Sequence, residues 1–257
     1  MAWYLYLLAI FAGFLCGIIN TVAGSGSLIT LPVLIFLGLP ANVANGTNRI
    51  GVLLQNAVAA VSFGRSKVLD LRGSLILSVP AISGAYVGAK IAVNLNEDTM
   101  NKVIGAVMLI MLFVIWLRPE RWLEGKLLTL GRVNLFQILI LFAIGIYGGF
   151  IQAGVGIFLI ATLVLSVGYD LVRANAVKVM IILAFTLLAL LVFAQNDQVN
   201  WEIGLLLGIG NMLGAWLAAR MTVKRGALWV RQLLMAAVAL SAIYLLGVFD
   251  WLARLLV

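Results

Sequence analysis

Ala23-Gly24-Ser25-Gly26-Ser27-Leu28 recurs in outline 130 positions later as Ala153-Gly154-Val155-Gly156-Ile157-Phe158, and each copy interrupts a long apolar run near its middle. The same spacing carries Gly38 onto Gly168 and Ala44-Asn45 onto Ala174-Asn175. It also lays Gly84-Ala85-Tyr86-Val87-Gly88-Ala89-Lys90 over Gly214-Ala215-Trp216-Leu217-Ala218-Ala219-Arg220. One matching pair of glycines would mean little; one constant spacing through three separated blocks indicates a duplication. A duplicated apolar chain with one broken segment per half has the signature of a transporter.

Composition names the solvent. With 64% apolar residues, 10% charged residues and a mean hydropathy of +1.17, the 257-residue chain cannot cover a water-soluble globule, so lipid must face most of its surface. Apolar stretches of helix length, without the alternation of strands, predict an all-α, polytopic helical membrane protein. The N-terminus lacks a basic region and a small-residue cleavage site, so the first apolar segment is expected to stay. The net charge of +8 is scattered through short loops and is not joined to a soluble module, which argues for positive-inside topology and against nucleic acid.

Apolar segments cover approximately 3–22, 27–38, 48–63, 73–92 and 102–117, then 135–152, 156–168, 178–194, 203–219 and 232–248. The second segment of each half is well short of the ~20 residues that span a bilayer. Loop charges bear on the topology. Arg65 to Arg72 is basic, whereas its counterpart, Gln195 to Glu202, carries only Asp197 and Glu202; the next pair of loops reverses the contrast. Equivalent loops on opposite sides predict two inverted repeats of about five membrane segments each. The first is expected at 1–117 and the second at 135–257, with a cytoplasmic linker at 118–134 bearing a short interfacial helix near 122–130. Both termini then lie outside, with thirteen of the seventeen basic residues, Lys178 among them, cytoplasmic or at that boundary.

The glycine breaks are the first candidate site. A half-helix starting after Gly24 and Gly26 presents free backbone N–H groups that attract an anion, and Ser25, Ser27, Asn20 and Thr21 add polar side chains. Gln152 precedes Gly154 and Gly156 in the second copy. The competing reading is close helix packing, as expected at Gly13/Gly17, Gly84/Gly88 and Gly210/Gly214. Asn45, Asn48 and Arg49 entering one helix, and Asn175 and Lys178 entering its counterpart, form the second candidate. Those cations could neutralise an anion between the halves, or snorkel to an interface while the asparagines cap helices. Cys16 reads as a packing residue; Gln55, Asn56 and Asn211 read as polar contacts between helices.

The absences exclude chemistry. No histidine occurs, there is a single cysteine, and all nine acids lie in loops or at segment ends. A Ser-His dyad and a Cys/His metal cluster are thereby excluded and a buried carboxylate relay is not expected, so no enzyme and no cofactor is expected.

The stretch Gly13 to Asn56 resembles the sulfite exporter TauE/SafE family of membrane permeases. The resemblance rests on Ala23 to Pro32, Gly38-Leu39-Pro40 and Gly46-Thr47-Asn48-Arg49, with a similar second block from Gly145 to Asn175. It implies a multi-pass inner-membrane carrier whose partners are a small inorganic or organic sulfur anion, such as sulfite or a sulfonate, and the lipid bilayer. A homodimer is compatible with it. An anion channel and a membrane scaffold without transport stand as alternatives.

Overall fold

The computed structural model describes residues 3–22, 24–116 and 134–245, with the backbone alone at 112, 115, 116 and 225–245. Every regular element among them is helical: α1 (Trp3–Val22), α2 (Ser27–Phe36), α3 (Ala41–Arg65), α4 (Leu71–Val93) and α5 (Glu97–Trp116). There follow α6 (Leu135–Phe150), α7 (Val155–Thr162) with a π-turn at Leu163–Val167, α8 (Leu171–Ala194) and α9 (Trp201–Leu245). Four helices are long and apolar enough to cross a membrane, namely α1, α4, α8 and the first 24 residues of α9. Outward-facing Leu7, Val79, Leu109, Phe136, Leu139 and Leu213 are exposed, as a lipid-facing surface requires. The expected linker and its interfacial helix lie outside the described residues.

Small residues set the packing. A methyl group on Gly13 would meet the Leu207 and Asn211 backbone, and one on Gly17 would meet Asn211 and Ala215; Gly210 and Gly214 return the contact to Ile10, Phe14 and Ile18. Gly84 and Gly88 press on Phe142, Ile146 and Phe150, while Gly145 and Gly149 press on Ala81 and Ala85. Backbone against backbone is how membrane helices gain dispersion without a hydrophobic drive. In both seams the residue numbers rise together, so α1 runs parallel to α9 and α6 parallel to α4.

The remaining directions follow from side chains. Ile50 meets Gly204 and Leu54 meets Gly208, so α3 is also parallel to α9. Arg49 stacks on Phe193, while Phe63 and Ala59 share a cluster with Ala176 and Val179; α3 is therefore antiparallel to α8. Tyr169 reaches Asp70 just before α8 and α4 begin, and Gln198 reaches Val93 at their far ends, so these two run together. Thus α1, α3 and α9 point one way, and α4, α6 and α8 the other. Arg65, Lys67, Arg72, Arg173, Arg220 and Lys224 consequently gather at one end of the bundle; Glu97, Asp98, Asp197 and Glu202 gather at the other.

Two expectations are corrected. Separate spans at 203–219 and 232–248 are not what the backbone does, because α9 stays helical from Trp201 to Leu245. Residues 220–231 contain no proline and one glycine, which costs a helix only about 1 kcal/mol. The reading of Lys178 as snorkelling to an interface is corrected too, because its whole side chain is buried.

At the basic end, the Asp70 side chain accepts from the Gly73 N–H as the α4 cap and from the Tyr169 hydroxyl at 2.6 Å. Both residues lie in connections outside the membrane-spanning segments. The Tyr169 hydrogen bond, then that of Gly73, holds the Asp70 carboxyl below the usual carboxylate range. A depressed folded pKa adds stability that is present above the ordinary value of about 3.9 and is lost as pH falls through the folded one. Tyr169→Phe is therefore expected to lower stability at neutral pH and to flatten its fall in acid, read by thermal unfolding between about pH 2 and 7. An unchanged acid limb would remove Tyr169 as the cause.

Candidate functional site

The last carbonyls of both broken helices are met by a buried cation from the other half of the chain. From α8, the Lys178 ammonium donates to Asn20 O at 3.1 Å, Thr21 O at 2.9 Å and Asn175 Oδ1 at 2.7 Å. Its three donors are thus satisfied at the C-terminus of α1. From α3, Arg49 donates through Nη1 to Gly148 O at 3.2 Å and through Nη2 to Gly149 O at 2.6 Å and Phe150 O at 3.4 Å. Asn45 Nδ2 adds 2.8 Å to Phe150 O, and the guanidinium lies 4.5 Å from the Phe193 ring centroid. Both cations are fully buried and no acid is buried with them among the described residues; the negative ends of α1 and α6 supply the compensating charge.

The breaks touch each other. Gly24 and Gly154 take left-handed φ values of 78° and 74°, and Gln152 sits at 63°. The Gly156 N–H donates to Gly24 O at 3.2 Å, and a methyl group on either glycine would fall on the backbone of the other. Beside this contact the Gly26 N–H donates to Asn20 Oδ1 at 2.9 Å, opening α2. Asn48 bridges, donating to Ser27 Oγ at 3.1 Å and accepting from Thr30 Oγ1 at 2.6 Å. Cys16 Sγ accepts from Asn20 Nδ2 and Thr30 Oγ1 at 3.7 and 3.8 Å. On the other side Gln152 Nε2 donates to Thr186 Oγ1 at 2.6 Å, and the Tyr147 hydroxyl donates to Ala153 O.

The structure brings Asn20, Gly24, Gly26, Ser27, Asn48, Gln152, Gly154 and Gly156 to the contact of the breaks, with Ser25 buried in the same loop, and sets one cation cluster on each side: Thr21, Asn175 and Lys178 at the end of α1, Asn45 and Arg49 at the end of α6. Asn175 and Phe193, whose ring lies against Arg49, are separated by about 27 Å of α8, so the two cation clusters are distinct. Asn45 and Asn175 do not cap their helices, which start at Pro40 and Asp170. Cys16, Thr30, Tyr147, Thr186 and Phe193 join the group, although the sequence pattern does not mark them as site residues. Thr186 has one visible signal, as the counterpart of Asn56 at the same 130-residue spacing. Its hydroxyl is testable: Thr186→Val keeps the shape but leaves the Gln152 amide unpaired, costing about 1–3 kcal/mol. Thermal unfolding in detergent should register that loss, and an unchanged midpoint would mean that Gln152 finds another acceptor.

Five buried polar atoms near the breaks have no partner: Asn45 Oδ1 and Arg49 Nε at the end of α6, Thr21 Oγ1 and Asn175 Nδ2 at the end of α1, and Gln152 Oε1 at the second break. Buried polar groups are rarely left unpaired unless water, an ion or a ligand completes them. The surroundings are cationic, and the unpaired donors, Asn175 Nδ2 and the Thr21 hydroxyl beside Lys178 and Arg49 Nε at the end of α6, suit an anion at either cluster, whereas Asn45 Oδ1 and Gln152 Oε1 are acceptors.

Discontinuous helices that meet with their broken ends at a buried polar centre are the architecture of a membrane transporter. The family model for the sulfite exporter TauE/SafE family matches residues 9–245, and the chain belongs to that family. It is 27% identical over 249 residues to "Probable membrane transporter protein ORF9" of Sinorhizobium sp, covering 96% of this chain and 94% of that one. It is 26% identical over 221 residues to a "Probable membrane transporter protein" of Haemophilus influenzae, 86% of each chain. With "Probable membrane transporter protein YfcA" of Escherichia coli K12 the identity is 25% over 237 residues, 92% of this chain and 87% of the relative. No solved structure matches the chain. Family and architecture together make it a multi-pass membrane transporter.

Proposed function

We propose that the chain exports small sulfur oxyanions, such as sulfite or organosulfonates, across the inner membrane by alternating access around the meeting point of its two breaks. The observation that carries this reading is the set of five unpartnered polar atoms beside two buried cations, with no buried acid among the described residues. A tetrahedral or pyramidal oxyanion accepts from Asn175 Nδ2 and the Thr21 hydroxyl beside Lys178 at one break, or from Arg49 Nε at the other, and the cation at that break offsets its desolvation. Gln152 can turn its amide to donate as well, because the Thr186 hydroxyl then donates in return.

Export needs no proton relay. An inside-negative potential favours anion exit by ~2.3 kcal/mol per charge per 100 mV. Two inverted halves supply the rocking elements: the opposed directions of α1 and α6, of α3 and α8, and of α4 and α9 favour such a pair of repeats. Each half also anchors a cation on the other's broken helix, so relative motion of the halves reshapes the centre.

The test is efflux from proteoliposomes loaded in turn with sulfite, thiosulfate, sulfoacetate, sulfate and chloride. A carrier of sulfur anions shows saturable efflux and counterflow for sulfite or a sulfonate, and little for chloride. Unsaturable flux without counterflow would indicate a channel, and no flux of any anion would sink the proposal.

A further inference from the structure

We propose that the cleft between the C-terminal half of α3 and the middle of α9 is a binding site for an anionic phospholipid, with the headgroup phosphate held between Arg65 and Arg220. The cleft encloses about 500 Å³ and is lined by Ala57, Val58, Val61, Ser62, Arg65, Ser66, Trp216 and Arg220. Its lining is graded along α3: Ala57, Val58 and Val61 come first, and Ser62, Arg65 and Ser66 follow one turn on. That order matches one acyl chain leading to one phosphate.

The charged end is prepared for an anion. The Arg220 guanidinium is stacked 4.1 Å from the Trp216 ring centroid, which fixes its plane and leaves its edge free. Neither Arg65 nor Arg220 has an acidic partner among the described residues. Of the described carboxylates at this end of the bundle, Asp70 is engaged by Tyr169 and Asp170 by Arg173 at 3.5 Å. Ser62 and Ser66 donate to Val58 O and Ser62 O on their own helix, so the two arginines are the donors. Exposed Lys67 and Lys224 reinforce the field.

The duplication does not explain this pair. At the matching place between α4 and α8, Tyr86 and Lys90 replace Trp216 and Arg220, while Val192 and Gln195 replace Ser62 and Arg65. One cation stands there instead of two, with Lys90 5.9 Å from its ring. The arginine pair thus belongs to the basic end alone, where basic pockets between membrane helices meet anionic headgroups. A free oxyanion shares the phosphate chemistry but gains nothing from the valine wall, so the lipid fits better.

The experiment is thermal unfolding of the purified full chain in detergent with phosphatidylglycerol, phosphatidylcholine, sodium phosphate or sodium sulfite added. Phosphatidylglycerol is expected to raise the midpoint more than phosphatidylcholine, and Arg65→Gln/Arg220→Gln to remove roughly half or more of that difference. Val61→Trp, which blocks the apolar wall and keeps both charges, should do the same. Equal shifts from the two lipids, or a full shift retained by the double variant, would overturn the proposal. So would an equal shift from phosphate or sulfite alone, which would assign the arginines to a free anion. Should the double variant not fold, native mass spectrometry of Arg220→Gln decides: loss of retained phosphatidylglycerol supports the site, and full retention overturns it.

Discussion

Gly24→Ala is expected to be among the most damaging single-methyl changes in this chain, abolishing transport and removing a large part of the stability in detergent. Two costs add at that residue. Its φ of 78° is left-handed, which costs an alanine roughly 1–2 kcal/mol. The new methyl also lands on the Gly156 backbone, where no flexible side chain can give way. Overpacking of that kind costs typically 1–3 kcal/mol, so the total is about 2–5 kcal/mol against a net stability of only ~5–15. Two controls separate the terms. Gly156→Ala creates the same collision without a left-handed backbone, and Gly38→Ala has a φ of 91° with open space around the new methyl. The expected order of loss is Gly24→Ala, then Gly156→Ala, then Gly38→Ala, which carries the backbone term alone at roughly 1–2 kcal/mol. Equal midpoints for Gly24→Ala and Gly38→Ala would mean that the breaks do not press on each other.

The same glycines explain why the breaks are legible in the sequence alone. A left-handed residue is a local demand, so the 130-residue spacing marks both breaks, and Gly38 and Gly168 end their short helices at matching φ values of 91° and 95°. Loop charges are legible because solvated charges do not depend on distant partners: Arg65 to Arg72 and Gln195 to Glu202 fall at opposite ends. Burial of Lys178 is not legible. Eight positions into α8, on a long stem, it reads either as a snorkelling residue or as the neutraliser of an anion, and its acceptors at Asn20 and Thr21 lie 158 and 157 residues away. Thr30 and Cys16 stay hidden for a related reason, since a small polar side chain acquires meaning only when Asn48 and Asn20 arrive beside it. The unbroken course of α9 is hidden because Arg220 to Arg231 carries the charges of a loop on residues that suit a helix.

Arg49→Ala should come close to Gly24→Ala in effect, for a different reason. The guanidinium serves three carbonyls at the end of α6 and stacks on Phe193, so its loss leaves Gly148 and Gly149 without these donors in a buried setting. Truncating one member of such a buried charged network costs about 3–5 kcal/mol. Phe150 fares better because Asn45 also donates to it. Arg49→Lys divides the two roles. An ammonium keeps the charge but cannot span adjacent carbonyls with a planar fork, nor stack as flatly on a ring. If the charge draws in the anion, Arg49→Lys should lower the unfolding midpoint by several degrees while the KM for sulfite efflux rises less than about tenfold. Arg49→Met should lose both. Lys178→Met repeats the experiment at the other break, where the ammonium's three donors all serve the end of α1 and Asn175. A stable Arg49→Met protein that still moves sulfite with unchanged KM would show that neither the helix end nor the substrate needs this cation, and the site would then have to be sought away from the breaks.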